Sequence, residues 1–257
     1  TLTRELKRRG VNVIARTAVD RVDTGANLGA TVHYRQGDSD EDRTAYGEVV
    51  LAAIGRVPNT DADWFRSSGL KLDERGYVTV DGYGRTNLDG VWALGDITPG
   101  HALAHRAFEQ GITIAEKIAG ADPKPVLDDT VPQVVFSFPE AASVGLTLDQ
   151  AKAREDVVEP KETAYPMLSN ARMLMSGEGG SMTVVSGAFA NNPDMQVVLG
   201  VHIVSPIASD LIAEAEQLVG NRVPLADAAR LIHPHPTFSE TLGEALLKAD
   251  GRPLHTR

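Results

Sequence analysis

The sequence predicts two differently built halves, an α/β half followed by an α+β half. Three observations predict this: a nearly unbroken apolar run at Glu48–Ile54, a strand-turn-helix transition around Gly95-Asp96, and a C-terminal half in which strands cluster before helices. The chain has 257 residues, 42% of them hydrophobic and 23% charged, which is enough to bury a sizeable core. A net charge of −10, with acids spread along the whole length, argues against a nucleic-acid surface. No apolar stretch approaches the roughly 18 to 20 residues of a bilayer span, so a cytoplasmic protein with no membrane partner is expected. With no cysteine, the residues present can form no disulfide, thiolate zinc site or thiol nucleophile.

In chain order, residues 1–9 read as the end of an amphipathic helix stopped by Gly10, and Val11–Ile14 as a short buried strand. Ala18–Val22 and Ala30–Tyr34 alternate as strands around a turn at Asp23–Asn27. Gln36–Arg43 is a polar turn, and Glu48–Ile54 has the pattern of a strand buried on both faces. A short helix near Trp64 and a hairpin of Leu70–Leu72 with Tyr77–Val80 follow. Gly90–Asp96 reads as another buried strand, leading through a Pro-Gly turn into a helix over 102–119. Ala121–Pro125 punctuates the chain. Beyond it come a strand at Gln133–Ser137, a helix over 147–154, strands at 181–188 and 196–204, and helices over 209–219 and 225–231. A closing helix over 237–248 is expected to be capped by Thr237 or Ser239.

Three phrases carry chemistry. Thr86–Asp96 ends in a carboxylate on a small-residue turn, suited to hydroxyl groups of a ligand, and Leu103-Ala-His105 opens a helix whose free N–H groups favour negative charge. Val50–Asn59 is an apolar strand leaving into a Gly turn with Pro58 at its exit, a pattern that packing alone could explain. In His233–Glu240, Glu240 lies in the first turns of a helix and can reach back to one nitrogen of His235. That contact would fix the tautomer, raise the ring's basicity and leave the other nitrogen free for proton exchange. Simple capping is the common role of such residues, and a metal site at His-Pro-His is the weaker reading because no further ligands stand nearby.

Taken together, these phrases resemble the pyridine nucleotide-disulfide oxidoreductases, and His233-Pro-His-Pro-Thr237 is most similar to the dihydrolipoamide dehydrogenase branch. The resemblance runs through Ile54–Asn59, Ala93–Asp96, Leu103–His105, Val131–Leu146, Leu199–Val204 and Ser209–Ala215, and so covers essentially the whole chain. It implies the remnant of an NAD-binding domain at 1–56, a central FAD-side segment at 57–122 and an α+β dimerisation domain at 127–257, the first two being partial Rossmann-like segments. Asp96 would then bind the FAD ribityl chain, and the backbone at Leu103, Ala104 and His105 would face the flavin ring, whose reduced form is negatively charged. Gly55 would lie beside NAD, with Val19 at its adenine end. His235 would deprotonate a thiol of dihydrolipoamide with Glu240 orienting it, acting on the partner subunit of a homodimer that serves dihydrolipoyl groups of 2-oxo acid dehydrogenase complexes. The resemblance also implies a cis peptide at His235-Pro236.

The family's two glycine-rich fingerprints and its redox-active cysteine pair are not in this sequence, which starts with Thr in mid-helix. The expectation is therefore a fragment that neither holds FAD tightly nor turns over by itself. A flavoprotein reducing another low-molecular-weight disulfide, or a non-catalytic dimerisation module, are the alternatives open at this point.

Overall fold

In the computed structural model, residues 2–25 and 29–256 are described. Residues 3–57 and residues 58–257 each form a compact unit. In the first unit, helix α1 (Leu2–Arg8) ends at Gly10, which takes φ +83°. An antiparallel meander follows, of β1 (Thr17–Thr24), β2 (Ala30–Gln36) and β3 (Arg43–Gly47), in the order β1-β2-β3. Its β1–β2 register slips between Val19 and Arg21. β1 is largely exposed, and Arg35 clamps Asp20 across the pair with N–O distances of 2.9 and 2.6 Å. The turn expected at Asp23–Asn27 lies partly outside the described residues.

Two expected strands of this unit do not form. Val11–Ile14 carries no strand, and Glu48–Ile54 is exposed, Leu51 at 88% and Ile54 at 96%. An apolar run becomes a buried strand only when neighbours supply ladder partners and cover both faces, and among the described residues no strand lies beside either segment.

The second unit opens with α2 (Asp63–Ser67) and a tight hairpin closed by the Leu72–Val78 bridge. Asp73 and Asp81 each accept two backbone N–H groups through Oδ1, an Asx device that fixes both bends. Phe65, Val78 and Ala93 form the small core here. Gly90–Asp96 is not a strand. Gly90 and Gly95 both take φ +73°, which breaks extended geometry, and Trp92 pairs only with Arg85 in an isolated bridge. The segment instead ends in a 3₁₀ turn at Gly95–Ile97, ahead of α3 (Ala104–Ile118). Buried Arg106 ties α3 onward, its Nε donating to Asp128 Oδ1 at 2.7 Å and its Nη2 to Pro99 O at 2.6 Å.

The C-terminal part is a five-stranded antiparallel sheet of β4 (Gln133–Val135), β5 (Glu140–Gly145), β6 (Val157–Pro166), β7 (Ser181–Phe189) and β8 (Asn192–Ser205), ordered β4-β5-β8-β7-β6. Between its strands run α4 (Leu148–Ala153) and α5 (Ala171–Ser176), and after them α6 (Ala208–Gly220), α7 (Leu225–Ala228) and α8 (Glu240–Ala249). The central strands are buried on both faces. Val184, Val201 and Ile203 pack with Leu211 and Ile212 of α6 and Leu242 and Leu246 of α8, whereas Val185, Val197 and Leu199 pack with Ala151 of α4. Fully burying each of these aliphatic side chains stabilises by about 1.5–3 kcal/mol. That places α8, which begins at Glu240, rigidly on the sheet.

α4 starts with a capping box in which Thr147 Oγ1 accepts from Gln150 N and Gln150 Oε1 from Thr147 N. Thr147→Ala is expected to lower stability by about 0.5–2 kcal/mol, read as a lower urea midpoint at unchanged slope; an unchanged midpoint would show that this cap contributes nothing. α8 starts differently from expectation. No side chain caps it through Ser239, and the Thr237 hydroxyl instead donates to Pro234 O at 2.6 Å. Among the described residues no helix is long and apolar enough to cross a membrane.

Candidate active site

The loop from Ile232 to Ser239 enters α8 through a cis peptide at His235-Pro236. Glu240, the first helical residue, turns its carboxylate back over this loop. Its Oε1 accepts from His235 Nδ1 at 2.8 Å, and its Oε2 from the Thr237 backbone N–H at 2.7 Å. A carboxylate is acceptor-only, so Nδ1 carries the proton, and whenever the ring holds a single proton Nε2 is left as a lone pair. Among the described residues Nε2 has no partner, and the side chain is 71% exposed. The contact drawn from the spacing is therefore present, and most of the imidazole is exposed.

The charge on Glu240 is built in. Burial alone would raise its pKa, but the Thr237 N–H, the His235 hydrogen bond and the charges of His235 and His233 outweigh it, and the net shift is downward from 4.5. Glu240 is thus ionised at neutral pH and its stabilising contacts weaken only in acid. Two further bonds hold the loop from the α5 side. Asn170, the N-cap of α5, donates to Thr237 O at 3.2 Å, and Arg172 lies over the Phe238 ring at 5.4 Å. Beneath, Tyr165 is fully buried, and burial first, then Glu244 and Glu240, push its hydroxyl up to about 12. It stays protonated at neutral pH.

Sequence reasoning missed the second ion pair of this region. His233 Nε2 meets Glu214 Oε1 of α6 at 2.8 Å, with the imidazole only 9% exposed. The Glu214 hydrogen bond raises the His233 pKa above 6.5, outweighing its burial. A raised imidazole pKa stabilises the fold fully below the unfolded value and loses that contribution as pH rises through the folded one. The thermal midpoint of the native chain should therefore fall relative to that of Glu214→Gln as the pH is raised from about 6.5 into the alkaline range. Parallel curves across this window would contradict the pairing.

The other residues singled out by the sequence fall in two places. Asp96 is exposed on the 3₁₀ turn, and the preceding Gly95 N–H donates to Gln110 Oε1 of α3 at 2.9 Å, which joins the turn to the helix. Leu103, the N-cap of α3, makes no side-chain cap, and the first helical residues, Ala104 and His105, are exposed. The His105 side chain is committed elsewhere, its Nε2 donating to Pro132 O at 2.7 Å, so that the helix start presents backbone. Val19, 59% exposed on β1, and Gly55, at φ +124°, belong to the unit of residues 3–57.

Comparison with known proteins matches this architecture. Residues 1–111 match the pyridine nucleotide-disulphide oxidoreductase model, and residues 131–246 match the dimerisation domain of the same family. A dihydrolipoyl dehydrogenase of Cupriavidus necator is 38% identical over 254 residues, covering 98% of this chain and 51% of the relative. One from Geobacillus stearothermophilus is 37% identical over 260 residues, covering 99% and 52%. The crystal structure of LpdA from Mycobacterium tuberculosis superposes with a TM-score of 0.82 at 30% identity, over 96% of this chain and 51% of that one. The chain thus spans about half the length of the curated relatives it matches. With both family models placed in order along it, this chain belongs to the pyridine nucleotide-disulphide oxidoreductases.

Proposed function

We propose that this chain contributes the proton-handling pair and the dimer surface of a flavoenzyme that oxidises dihydrolipoyl groups to the cyclic disulfide with NAD, in the service of 2-oxo acid dehydrogenase complexes. The observation that carries the reading is the bridged carboxylate of Glu240, which holds His235 in one tautomer and leaves Nε2 outward. Oxidising a dithiol to a disulfide releases two electrons and two protons. His235 Nε2 accepts a thiol proton, and Glu240 stabilises the imidazolium so formed, as an orienting carboxylate does in other acid–base pairs.

FAD, when bound, relays the two electrons between sulfur and nicotinamide. The residues here fit such a group: the helix start at 103–105, uncapped by any side chain and exposed at Ala104 and His105, suits an electron-rich ring, and the exposed Asp96 suits hydroxyl groups. Val19 and Gly55 would contact NAD. Gly55, with no Cβ and a positive φ, allows close approach of a ligand to the backbone.

Exposed apolar side chains lie on the His235 loop and on α5, the helix that contacts it. Ile232 is 97% exposed, and Leu174 and Met175 are 62% and 68% exposed on α5, the helix whose Arg172 lies over Phe238. Together with the matched dimerisation domain, this supports a second copy seated on the same face, and an imidazole that works across the subunit boundary. Sedimentation of this chain should give twice the chain mass, and Met175→Glu with Ile232→Glu should shift it to a monomer. A monomer before substitution would remove the cross-subunit reading.

A further inference from the structure

The loop that carries His235 has no secondary structure of its own between Ile232 and Pro234, yet its imidazole meets Glu240 at hydrogen-bond distance. Downstream of His235 the loop is fixed by Thr237, through Glu240, Pro234 and Asn170. Upstream, one side chain is anchored. The His233 side chain is only 9% exposed, bonded at Nε2 to Glu214 of α6 at 2.8 Å, and its other nitrogen lies close against α8 at Gly243, where an added Cβ would lie 2.5 Å from His233 Nδ1. α6 and α8 are both seated on the core sheet, so the ring is wedged between two rigid elements.

The geometry points to Glu214 and His233 as a positioning pair, in which the hydrogen bond to α6 and the close seat on Gly243 hold the loop so that His235 reaches Glu240. This rests on the proton-handling reading of His235 and deepens it. A loose histidine would sample several rotamers, and a near-attack geometry would be lost with displacements of the order of 1 Å. The same helix also supplies an internal control. His255 Nδ1 meets Glu244 Oε1 at 2.7 Å one turn further along α8, outside the loop. General loosening of α8 would disturb both pairs, whereas loss of loop positioning disturbs only His235.

The test is nitrogen NMR of the histidine rings in the intact chain, at a pH where they are neutral, comparing the native chain with Glu214→Leu, Glu214→Gln and Gly243→Ala. The native chain is expected to show His235 as a single Nδ1–H tautomer. Glu214→Leu removes the acceptor, and Gly243→Ala pushes on His233 from the other side; both should turn His235 into the tautomer mixture of a solvated imidazole, with His255 unchanged. Glu214→Gln keeps an acceptor for His233 and should restore the single tautomer. If Glu214→Leu fails to fold, Gly243→Ala decides alone. A single Nδ1–H tautomer that persists in Glu214→Leu and Gly243→Ala, or His255 changing in parallel with His235, overturns the positioning role while leaving the His235–Glu240 reading intact. A native His235 without the Nδ1–H tautomer overturns that reading itself.

Discussion

His235→Gln, in the complete flavin-loaded enzyme, is expected to slow thiol oxidation by about 10²–10⁴-fold, the usual contribution of a positioned general base, while hydride exchange between NADH and flavin continues at its native rate. The asymmetry follows from where the imidazole stands. Nδ1 is bound to Glu240 and the side chain is 71% exposed, which leaves Nε2 as the nitrogen able to accept a proton. Gln can reproduce the size and a hydrogen bond but cannot take a proton at neutral pH. Hydride exchange moves no thiol proton and has no use for the ring. Stopped-flow absorbance separates the two half-reactions, and equal losses in both would refute the assignment.

Glu240→Gln is expected to reduce the same half-reaction by roughly 10- to 100-fold, less than loss of the base itself. Two effects combine. The amide cannot offset the positive charge that appears on His235, and one of its two heads is a donor. If its oxygen accepts from His235 Nδ1, its NH₂ group faces the Thr237 N–H, which the carboxylate now satisfies at 2.7 Å. Leaving that donor unpaired costs about 1–3 kcal/mol, so the variant should also unfold at a lower temperature. The combination of a slower thiol step and a lower midpoint distinguishes a carboxylate that holds the loop from one that acts only by its charge. An unchanged midpoint would mean that the loop finds another partner.

How much of this was legible in the sequence depended on how local the determinant was. Glu240 follows His235 by five residues at a helix start, and one turn of chain geometry was enough to foresee their contact. The Glu214–His233 pair lies 19 residues apart on separate elements, and only the packing of α6 against the sheet brings it together. The central strands β7 and β8 were readable because they are apolar on both faces. Strand β6 was not, since as an edge strand it carries Pro160, Lys161 and Glu162 and a bulge with Glu159 at φ +50°. β5, Glu140–Gly145, is built of small residues with too little contrast to register as a strand. The opposite error occurred at Glu48–Ile54, where composition promised burial that needs adjacent strands to exist.

The residues proposed for the flavin side were legible as a phrase rather than as geometry. Gly95 and Asp96 do sit at a turn joined to the start of α3, but the turn is 3₁₀ and not the end of a strand. The two glycines at φ +73° that mark this are visible in the sequence, and reading them as strand breakers would have corrected it.

A double-mutant cycle on the thiol half-reaction puts the central claim to the most direct test, with His235→Gln, Glu240→Gln and the two combined compared against the native enzyme. If Glu240 works through His235, the double variant should be no slower than His235→Gln alone. If the losses instead multiply, the carboxylate and the imidazole act independently, and a proton-handling pair at the mouth of α8 is the wrong description.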